Sequence, residues 1–309
     1  METDKNTGKR AARQAAPGKM PDMGTFAMAV KKELEMHFGS GYRIWLHDVM
    51  LDNNVPSSAV DILHGECRAR PSFCLDSLYR KYLDGRADIK DVCGFIIRAS
   101  AATWENAGAV HMADFEKMRS RICLRLVNAE WNRKMLESMP HTRFFDLAAV
   151  YYVTAAGCRE GTGQTAVDCR MLDMWQADTG TLHALALANT QRMYRPRMFP
   201  LDASLPGMFL ATNHTCINGA SVILYDGFLS GFAKKQCCSF YVLPSSVNYM
   251  LLIPEHYVQD AAFLQNILEC TTAGKHCRKE ERLSGSIYYY DWASGRLEDC
   301  PDSIRKGGL

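Results

Sequence analysis

The chain has 309 residues, with 36 Lys and Arg against 34 Asp and Glu, 47% hydrophobic residues and a mean hydropathy of -0.20. No apolar run approaches the ~20 residues that cross a bilayer, so we exclude a membrane-spanning helix and expect a soluble globular protein. The 12 cysteines are about 4% of the chain, below the ~8–10% of disulfide scaffolds, and no pair has C-x-x-C spacing. We therefore expect reduced thiols, no zinc ribbon and a cytoplasmic location.

The excess of basic residues lies at the N-terminus. Residues 1–20 hold five basic and two acidic residues, which leaves 31 basic and 32 acidic residues in the rest of the chain. This segment has no apolar period, so residues 1–23 are predicted to form a disordered basic tail. No apolar segment of the kind found in secretory signals follows its basic residues. We interpret the tail as a solvated extension, with a weak nucleic-acid arm as the alternative.

The next elements alternate between helical and extended patterns. Apolar residues one turn apart predict a helix over residues 25–39, and aromatic-rich stretches flanking Asp52-Asn53-Asn54 predict a hairpin. A short strand follows Pro71, and helices are predicted over residues 77–83 and 89–103. This order indicates a helix packed on a small sheet.

The middle of the chain has similar patterns. Residues 121–131 and 144–155 predict two strands, and Asn132 is the predicted cap of a short helix between them. Two further helices are predicted before residue 190. Residues 191–207 contain three prolines and a glycine and are the predicted linker. The predicted division is an N-terminal region over 24–200 and a C-terminal region over 206–300, with one continuous domain as the alternative.

The C-terminal region has a repeated order of predicted elements. Its predicted strands cover residues 208–213, 221–225, 240–243, 249–253 and 287–290, and its predicted helices cover residues 227–235 and 258–270. Asn218-Gly219 is the predicted hairpin turn between the first two strands. Two strands followed by a helix, twice in succession, predict an α+β fold of mostly antiparallel sheets with helices packed on one face.

Several sequence runs resemble a known family. They are PHTRFFDLAAVYY (140–152), LALANT (185–190), MFLATNHTCINGASVILYDG through YVLPSSVNYMLLIP (208–254) and ERLSGSIYYYD (281–291). Together they resemble DUF5688, an uncharacterised bacterial family of unknown function. Relatives read Pro-Ser-Ser-x-His-Glu where this chain has Asn248 and Tyr249 in the last two positions. The resemblance implies that any acid-base or metal chemistry of that pair is absent here. It also implies that the chain has the fold of this family and a cytoplasmic bacterial origin.

The Pro-Ser-Ser motif is the first candidate catalytic site. Ser245 and Ser246 end a predicted strand, where His141 together with a carboxylate such as Asp146 or Asp226 would activate a hydroxyl for hydrolysis. No G-x-S-x-G elbow is present, and Ser after Pro is also a common turn former. The turn interpretation is favoured, and the catalytic one stays an alternative.

Residues 140–146 place three polar groups at the start of an apolar strand. Alternation puts His141 and Arg143 on one face, where they would bind an anion, and Asp146 on the other. The favoured interpretation is that Asp146 is a buried carboxylate bonded to a neighbouring loop and that Arg143 is a paired surface cation.

The remaining candidates are weaker. His64, Cys67 and Cys74, and separately Cys270, His276 and Cys277, supply at most three donors each, so no metal site and no cofactor are predicted. Tyr288 and Tyr290 alternate on a predicted strand and would stack single-stranded bases. Because no Lys or Arg stripe accompanies them, a core strand is favoured.

The leading hypothesis is a non-enzymatic binding or regulatory protein. Its contact surface would be a sheet edge and the C-terminal region, with Arg143, Asn248, Tyr288 and Tyr290 as candidate ligand-binding residues. A protein partner is favoured over nucleic acid, and no membrane is involved. The alternatives are a small hydrolase-like enzyme using the Pro244-Ser245-Ser246 motif and a weak single-stranded nucleic-acid binder.

Overall fold

The computed structural model describes residues 21–65, 70–107, 112–154, 164–201, 207–273 and 277–300. Its α-helices are α1 (Met23–Phe38), α2 (Asp76–Leu83), α3 (Ile89–Ala107), α4 (Phe115–Met118), α5 (Arg133–Leu136), α6 (Cys169–Trp175), α7 (Thr179–Met193), α8 (Phe228–Gln236) and α9 (Ala261–Thr272). Short 3₁₀ helices span Asp52–Asn54, Arg119–Arg121, Gly219–Leu224, Glu255–Tyr257 and Lys279–Glu281. No helix in these ranges is both long and apolar enough to cross a membrane.

The strands form three antiparallel sheets. They are β1 (Tyr42–Leu51), β2 (Val55–His64), β3 (Ser72–Cys74), β4 (Ile122–Asn128), β5 (His141–Phe144), β6 (Leu147–Thr154), β7 (Gln164–Ala166), β8 (Pro196–Pro200), β9 (Phe209–Asn213), β10 (Phe240–Ser246), β11 (Tyr249–Pro254), β12 (Tyr288–Asp291) and β13 (Arg296–Asp299). The first sheet has the order β1-β2-β3, the second β4-β6-β5 with β7 also paired to β6, and the third β13-β12-β10-β11-β9-β8. The α+β class with mostly antiparallel sheets is confirmed.

The N-terminal helix packs on the first sheet as its pattern predicts. Phe26, Val30 and Leu34 of α1 are at most 1% exposed and share a core with Tyr42, Ile44 and Leu46 of β1 and the inner face of β2. Asp22 caps the helix by accepting a hydrogen bond from the Thr25 N–H at 2.8 Å. The predicted hairpin is also observed, with ten regular cross-strand pairs between β1 and β2.

Residues 141–154 differ from the predicted long strand. They form a hairpin of β5 and β6 closed by the pair Phe144 and Leu147, with Phe145 and Asp146 in the turn. Phe145 has a φ of 55°, the left-handed region that turn positions of such hairpins require. Phe is rarely found in this region, and the turn contains neither Asn-Gly nor Asp-Gly, so the sequence contains no sign of a turn here. The predicted alternation of faces therefore ends at residue 144.

The third sheet contains three further differences from prediction. Residues 196–200 form the edge strand β8 where a linker was predicted, and β13 was not predicted. Residues 219–224 form a 3₁₀ helix instead of a strand, because Asn218 has a left-handed backbone and Gly219 packs directly on β9. The division into regions 24–200 and 206–300 stays a prediction.

The second and third sheets share one apolar core. Leu126 of β4 and Leu147 of β6 are buried in the same cluster as Phe240 and Val242 of β10. Because of this shared core, the loop that follows β4 lies next to the loop that precedes β12. The tip of the β1–β2 hairpin contacts both loops.

Candidate functional site

Three polar loops meet at one point of the molecule, which we call the junction. It comprises the hairpin tip Asp52–Asn54, residues 128–132 after β4, and residues 278–282 before β12. These segments are distant in sequence and come from all three sheets. Side-chain hydrogen bonds join the three segments.

Two buried asparagines form the centre of the junction. Asn53 donates from Nδ2 to the carbonyl oxygens of Lys279 and Arg282, both at 2.8 Å. Its own N–H donates to Asn132 Oδ1 at 2.7 Å, and Asn132 Nδ2 returns a bond to Asn53 Oδ1 at 2.9 Å. Asn132 precedes α5 as predicted, but its side chain makes no capping bond because Asn53 uses it. The pair joins the hairpin tip to both other loops.

An ion pair holds the hairpin tip against the second sheet. Arg125 of β4 donates through two guanidinium nitrogens to Asp52, one of them to Oδ1 at 3.0 Å. The two side chains are only 21% and 18% exposed. Burial alone would lower the pKa of Arg125, but the facing Asp52 carboxylate outweighs burial and raises it. Arg125 is therefore charged in the folded protein.

The acidic residues of the 3₁₀ helix Lys279–Glu281 are paired with arginines. Glu280 pairs with Arg80 of α2 at 3.0 Å and with Arg278 at 3.4 Å, and Glu281 pairs with Arg278. Burial alone would raise the pKa of Glu281, but the hydrogen bond and charge of Arg278 outweigh it and lower this pKa. Both acidic residues of the helix are thus neutralised by arginines.

We expect acid to weaken the junction through Glu281. Because its folded pKa lies below the ordinary value of 4.5, its contribution to stability is present above that value and is lost as pH falls through the folded pKa. The measurement is urea unfolding of wild type and Glu281→Gln from about pH 7 to about pH 3. The stability difference between the two should shrink at the acid end.

The matched control for this titration is Glu35→Gln, which removes a surface pair with Lys31 at 3.7 Å. Such exposed pairs contribute little, so we expect a small difference from wild type at every pH. A Glu281→Gln difference that stays constant down to about pH 3 would show that the carboxylate is not held charged by Arg278.

A cleft opens at the junction. Its volume is about 270 Å³, and it is lined by Asn53, Asn54, Trp131, Lys279 and Arg282. Asn54 donates from Nδ2 to the Trp131 carbonyl oxygen at 2.7 Å, and Trp131 is 40% exposed. Arg282 has a buried Nε with no hydrogen-bond partner among the described residues. The lining residues therefore include the basic residues Lys279 and Arg282 and, within the described ranges, no acidic residue.

The turn carboxylate Asp146 holds the third loop in place. It accepts hydrogen bonds from the hydroxyls of Ser284 and Tyr288, and Asn128 Nδ2 lies at 3.4 Å. Burial, followed by the charge of Asp146, raises the pKa of Tyr288 far above its ordinary value. The predicted bonding of Asp146 to a neighbouring loop is confirmed, but the residue is partly buried and not fully buried as predicted.

The predicted serines lie inside the third sheet. Ser245 is 0% exposed, and its Oγ accepts from Thr271 Oγ1 at 2.9 Å and lies 3.5 Å from the Leu243 carbonyl oxygen. Ser246 is 2% exposed, and its Oγ accepts from the Asn248 N–H at 3.2 Å. Among the described residues, no histidine or carboxylate is hydrogen-bonded to either hydroxyl. Ser246 thus makes a local turn bond with Asn248, whereas Ser245 is bonded to helix α9.

The other catalytic candidates lie elsewhere. His141 is the first residue of β5, and its Nδ1 is 2.9 Å from the Met139 carbonyl oxygen. Asp226 is exposed and precedes α8, and its backbone N–H donates to Gln191 Oε1. Arg143 is exposed, and its guanidinium is 3.6 Å from Glu130. The structure makes Arg143 a paired surface cation and brings neither His141 nor Asp226 into hydrogen-bonding contact with the serines.

The candidate ligand-binding residues of the third sheet have structural partners. Asn248 accepts from Thr212 Oγ1 at 2.7 Å through its carbonyl and from the Asn218 N–H at 3.1 Å through Oδ1. Tyr288 and Tyr290 are 0% and 5% exposed, and the Tyr290 ring stacks on Phe240 at 4.9 Å. The core-strand interpretation of the tyrosines is confirmed, and their faces are not open for stacking on bases.

The cysteine and histidine sets give no cluster in the described part of the chain. Cys67 and His276 lie outside the described residues, and within those ranges no group of three His, Cys, Asp or Glu side chains is placed to hold a metal ion. The ten described cysteines are free thiols.

Sequence reasoning identified the turn Asp52–Asn54 but not its role, and it missed Asn132, Lys279 and Arg282 as site residues. The available signal was weak, because asparagines in turns usually bond their own backbone. Long-range contacts reveal the site, such as that of Asn53 with Arg282, 229 residues apart.

The chain belongs to a family of unknown function. Its described helices and its three antiparallel sheets, joined at the polar junction, make it an α+β protein. The family model described as "Family of unknown function (DUF5688)" matches residues 23–292, and the chain belongs to this family. No curated protein and no solved structure matches the chain. The function of the family is unknown, so the site itself is the basis for assigning one.

Proposed function

We propose that this protein is a non-enzymatic binding protein whose junction cleft takes a small organic anion bearing a carboxylate or phosphate group. The observation that carries the proposal is Arg282, a residue of the cleft lining whose buried Nε has no hydrogen-bond partner among the described residues. A buried cationic donor without an acceptor is costly, and an anion seated against the Arg282 guanidinium would offset that cost through its charge.

The charge arrangement of the 3₁₀ helix supports an anionic ligand. Side chains three residues apart lie on the same side of a 3₁₀ helix, which places Lys279 and Arg282 together at the cleft. Glu280 and Glu281 are occupied by Arg80 and Arg278 and do not line the cleft. A ligand therefore meets two positive charges whose neighbouring acids are already paired.

The size and lining of the cleft limit the ligand. Its volume of about 270 Å³ is below the ~300–1,000 Å³ of pockets for drug-sized molecules, so the ligand is small. Trp131 offers an indole beside the two cations, and such a ring packs well on a short carbon skeleton. Asn53 Nδ2 donates to two carbonyl groups and Asn54 Nδ2 to one, so the cations supply most of the anion contacts.

We also propose that the protein is located in the cytoplasm. The ten free thiols of the described residues support a reducing compartment. Alkylation of thiols in intact cells before lysis tests this point, since a secreted or oxidised chain would escape labelling.

The binding experiment is isothermal titration calorimetry with inorganic phosphate and with malonate as separate probes. We expect wild type to bind at least one probe with a Kd of about 1 mM or tighter, and Arg282→Gln to bind it at least about tenfold more weakly. The control Arg296→Gln removes an exposed arginine of β13 and should leave the affinity unchanged.

Two outcomes would overturn the assignment. Equal affinities of wild type and Arg282→Gln would place the anion elsewhere. An equal loss in Arg296→Gln would mean that the probe senses only overall charge, since a site contact and a distant surface charge would then have the same effect.

A further inference from the structure

The first sheet and its helices have a hydrophobic core of their own. We call the described residues from 21 to 107 the N-terminal unit, and the described residues from 112 onward the body. Phe26, Val60 and Ile96 are at most 1% exposed and belong to a cluster whose members all lie in the N-terminal unit. The other hydrophobic clusters of the described residues lie entirely in the body. Within these ranges, no apolar cluster joins the two.

Polar contacts hold the N-terminal unit against the body. At the hairpin tip, the ion pair to β4 is accompanied by bonds of Asn53 to Asn132 and to two carbonyl groups of residues 278–282. A second contact lies on helix α2, where Arg80 pairs with Glu280 at 3.0 Å. Water can replace such hydrogen bonds and ion pairs when an interface opens. Domains that meet through a polar interface are therefore expected to move relative to each other.

The junction cleft lies between the N-terminal unit and the body. Asn53 and Asn54 line it from the N-terminal unit, and the body contributes Trp131, Lys279 and Arg282. Clefts between domains are common ligand sites. When the N-terminal unit moves away, the cleft loses the part of its wall that the two asparagines form. A ligand in the cleft therefore has more contacts in the docked arrangement than in the separated one.

We infer that the N-terminal unit docks on the body and separates from it as one rigid unit, and that the anion in the junction cleft acts as a clamp that holds it docked. The inference rests on the proposed function, because the clamp is the anion that the cleft binds. A ligand that prefers one of two arrangements raises the population of that arrangement. The position of the N-terminal unit then signals whether the cleft is occupied, which gives a non-enzymatic binding protein a regulatory output.

The backbone N–H of Asn53 reports docking directly. It donates at 2.7 Å to Asn132 Oδ1, an acceptor that belongs to the body. When the N-terminal unit separates, this N–H meets water and exchanges its hydrogen. The N–H of Thr25 is a matched reference, because it donates at 2.8 Å to Asp22 Oδ1 within the N-terminal unit. Separation leaves that second bond in place.

The experiment is hydrogen exchange of the full chain, followed by NMR with and without malonate or inorganic phosphate. The probe is the one of the two that binds more tightly in calorimetry. At about ten times its Kd, exchange at Asn53 should slow by about three- to tenfold, since tenfold is the limit for a ligand that binds only the docked arrangement. The exchange rate of Thr25 should not change.

A variant outside the cleft distinguishes movement of the whole unit from local opening of the hairpin tip. Arg80→Ala removes the contact of α2 with Glu280 and leaves the cleft lining intact. If the unit moves as a whole, exchange at Asn53 should be about threefold faster in the anion-free variant than in anion-free wild type. The control Lys81→Ala removes the same charge from an exposed neighbouring position of α2 and should leave this rate unchanged. Circular dichroism verifies that both variants are folded.

Three results would overturn the clamp. Unchanged exchange at Asn53 in Arg80→Ala would show that the hairpin tip opens by itself. Equal slowing at Asn53 and Thr25 would show that the anion stabilises the chain as a whole. A probe that binds in calorimetry without slowing exchange at Asn53 would exclude the clamp and leave the proposed function intact, whereas a chain that binds neither probe would exclude both.

Discussion

Replacing Gly219 by alanine is expected to lower the free energy of unfolding by about 3 kcal/mol. Gly219 is buried at the start of the 3₁₀ helix Gly219–Leu224. A Cβ at this position would lie closer than 3.0 Å to Thr212 Oγ1, the Asn248 carbonyl oxygen and the Asn213 nitrogen. Two of these three atoms belong to backbone, so the clash cannot be relieved by turning a flexible side chain.

The contacts that Gly219 permits hold several segments together. Thr212 Oγ1 donates to the Asn248 carbonyl at 2.7 Å, and the Ala220 N–H donates to the Val247 carbonyl at 3.1 Å. These bonds tie β9 and the 3₁₀ helix to the β10–β11 turn. An added methyl group must separate them, so the loss exceeds that of one strained contact.

The matched control is Gly231→Ala in the middle of α8. A Cβ at Gly231 meets no atom within 4 Å, and alanine is the better helix former. We expect this variant to be more stable than wild type by about 0.5–1 kcal/mol. Urea unfolding of both variants measures the two effects. Similar stabilities for Gly219→Ala and Gly231→Ala would contradict the close approach at Gly219.

Replacing Arg125 by alanine is expected to destabilise the protein by about 3 kcal/mol. The variant leaves the Asp52 carboxylate, which is 18% exposed, without its charged partner. Removal of one member of a buried pair costs more than the pair itself contributes, because the remaining charge stays desolvated. The hairpin tip also loses its anchor on β4, so we expect anion binding at the junction cleft to weaken in the same variant.

The exposed pair of Arg143 and Glu130 is the control for Arg125. Its nitrogen–oxygen distance is 3.6 Å, and the side chains are 56% and 67% exposed. We expect Arg143→Ala to change stability by less than about 0.5 kcal/mol. A double-mutant cycle on Arg125 and Asp52 isolates their coupling. A coupling energy near zero would show that the pair does not hold the tip.

The elements that the sequence predicts well are those built from local patterns. The 3.6-residue period of α1 and the turn residues Asp52–Asn54 were sufficient to predict the first helix and hairpin. Elements that depend on tertiary contact were not predictable. Phe145 adopts a left-handed backbone in a turn whose next residue, Asp146, is bonded to Ser284 and Tyr288, 138 and 142 residues away.

Sequence patterns could not predict the candidate site, because it also depends on tertiary contacts. The Pro-Ser-Ser motif is conspicuous in sequence, but Ser245 is buried and bonded to Thr271. By contrast, Lys279 and Arg282 lie in a charge-rich segment that is typical of a solvated surface. Their role depends on Glu280 being neutralised by Arg80, which is 200 residues away in sequence.

The most direct test of anion binding at the junction is a crystal structure of the full chain grown with malonate or inorganic phosphate, whichever binds more tightly. We predict an anion oxygen within about 3.2 Å of the Arg282 guanidinium, with Lys279 beside it and Trp131 along one side. An anion bound only at other sites, or a cleft in which water alone meets Arg282, would contradict the proposed function.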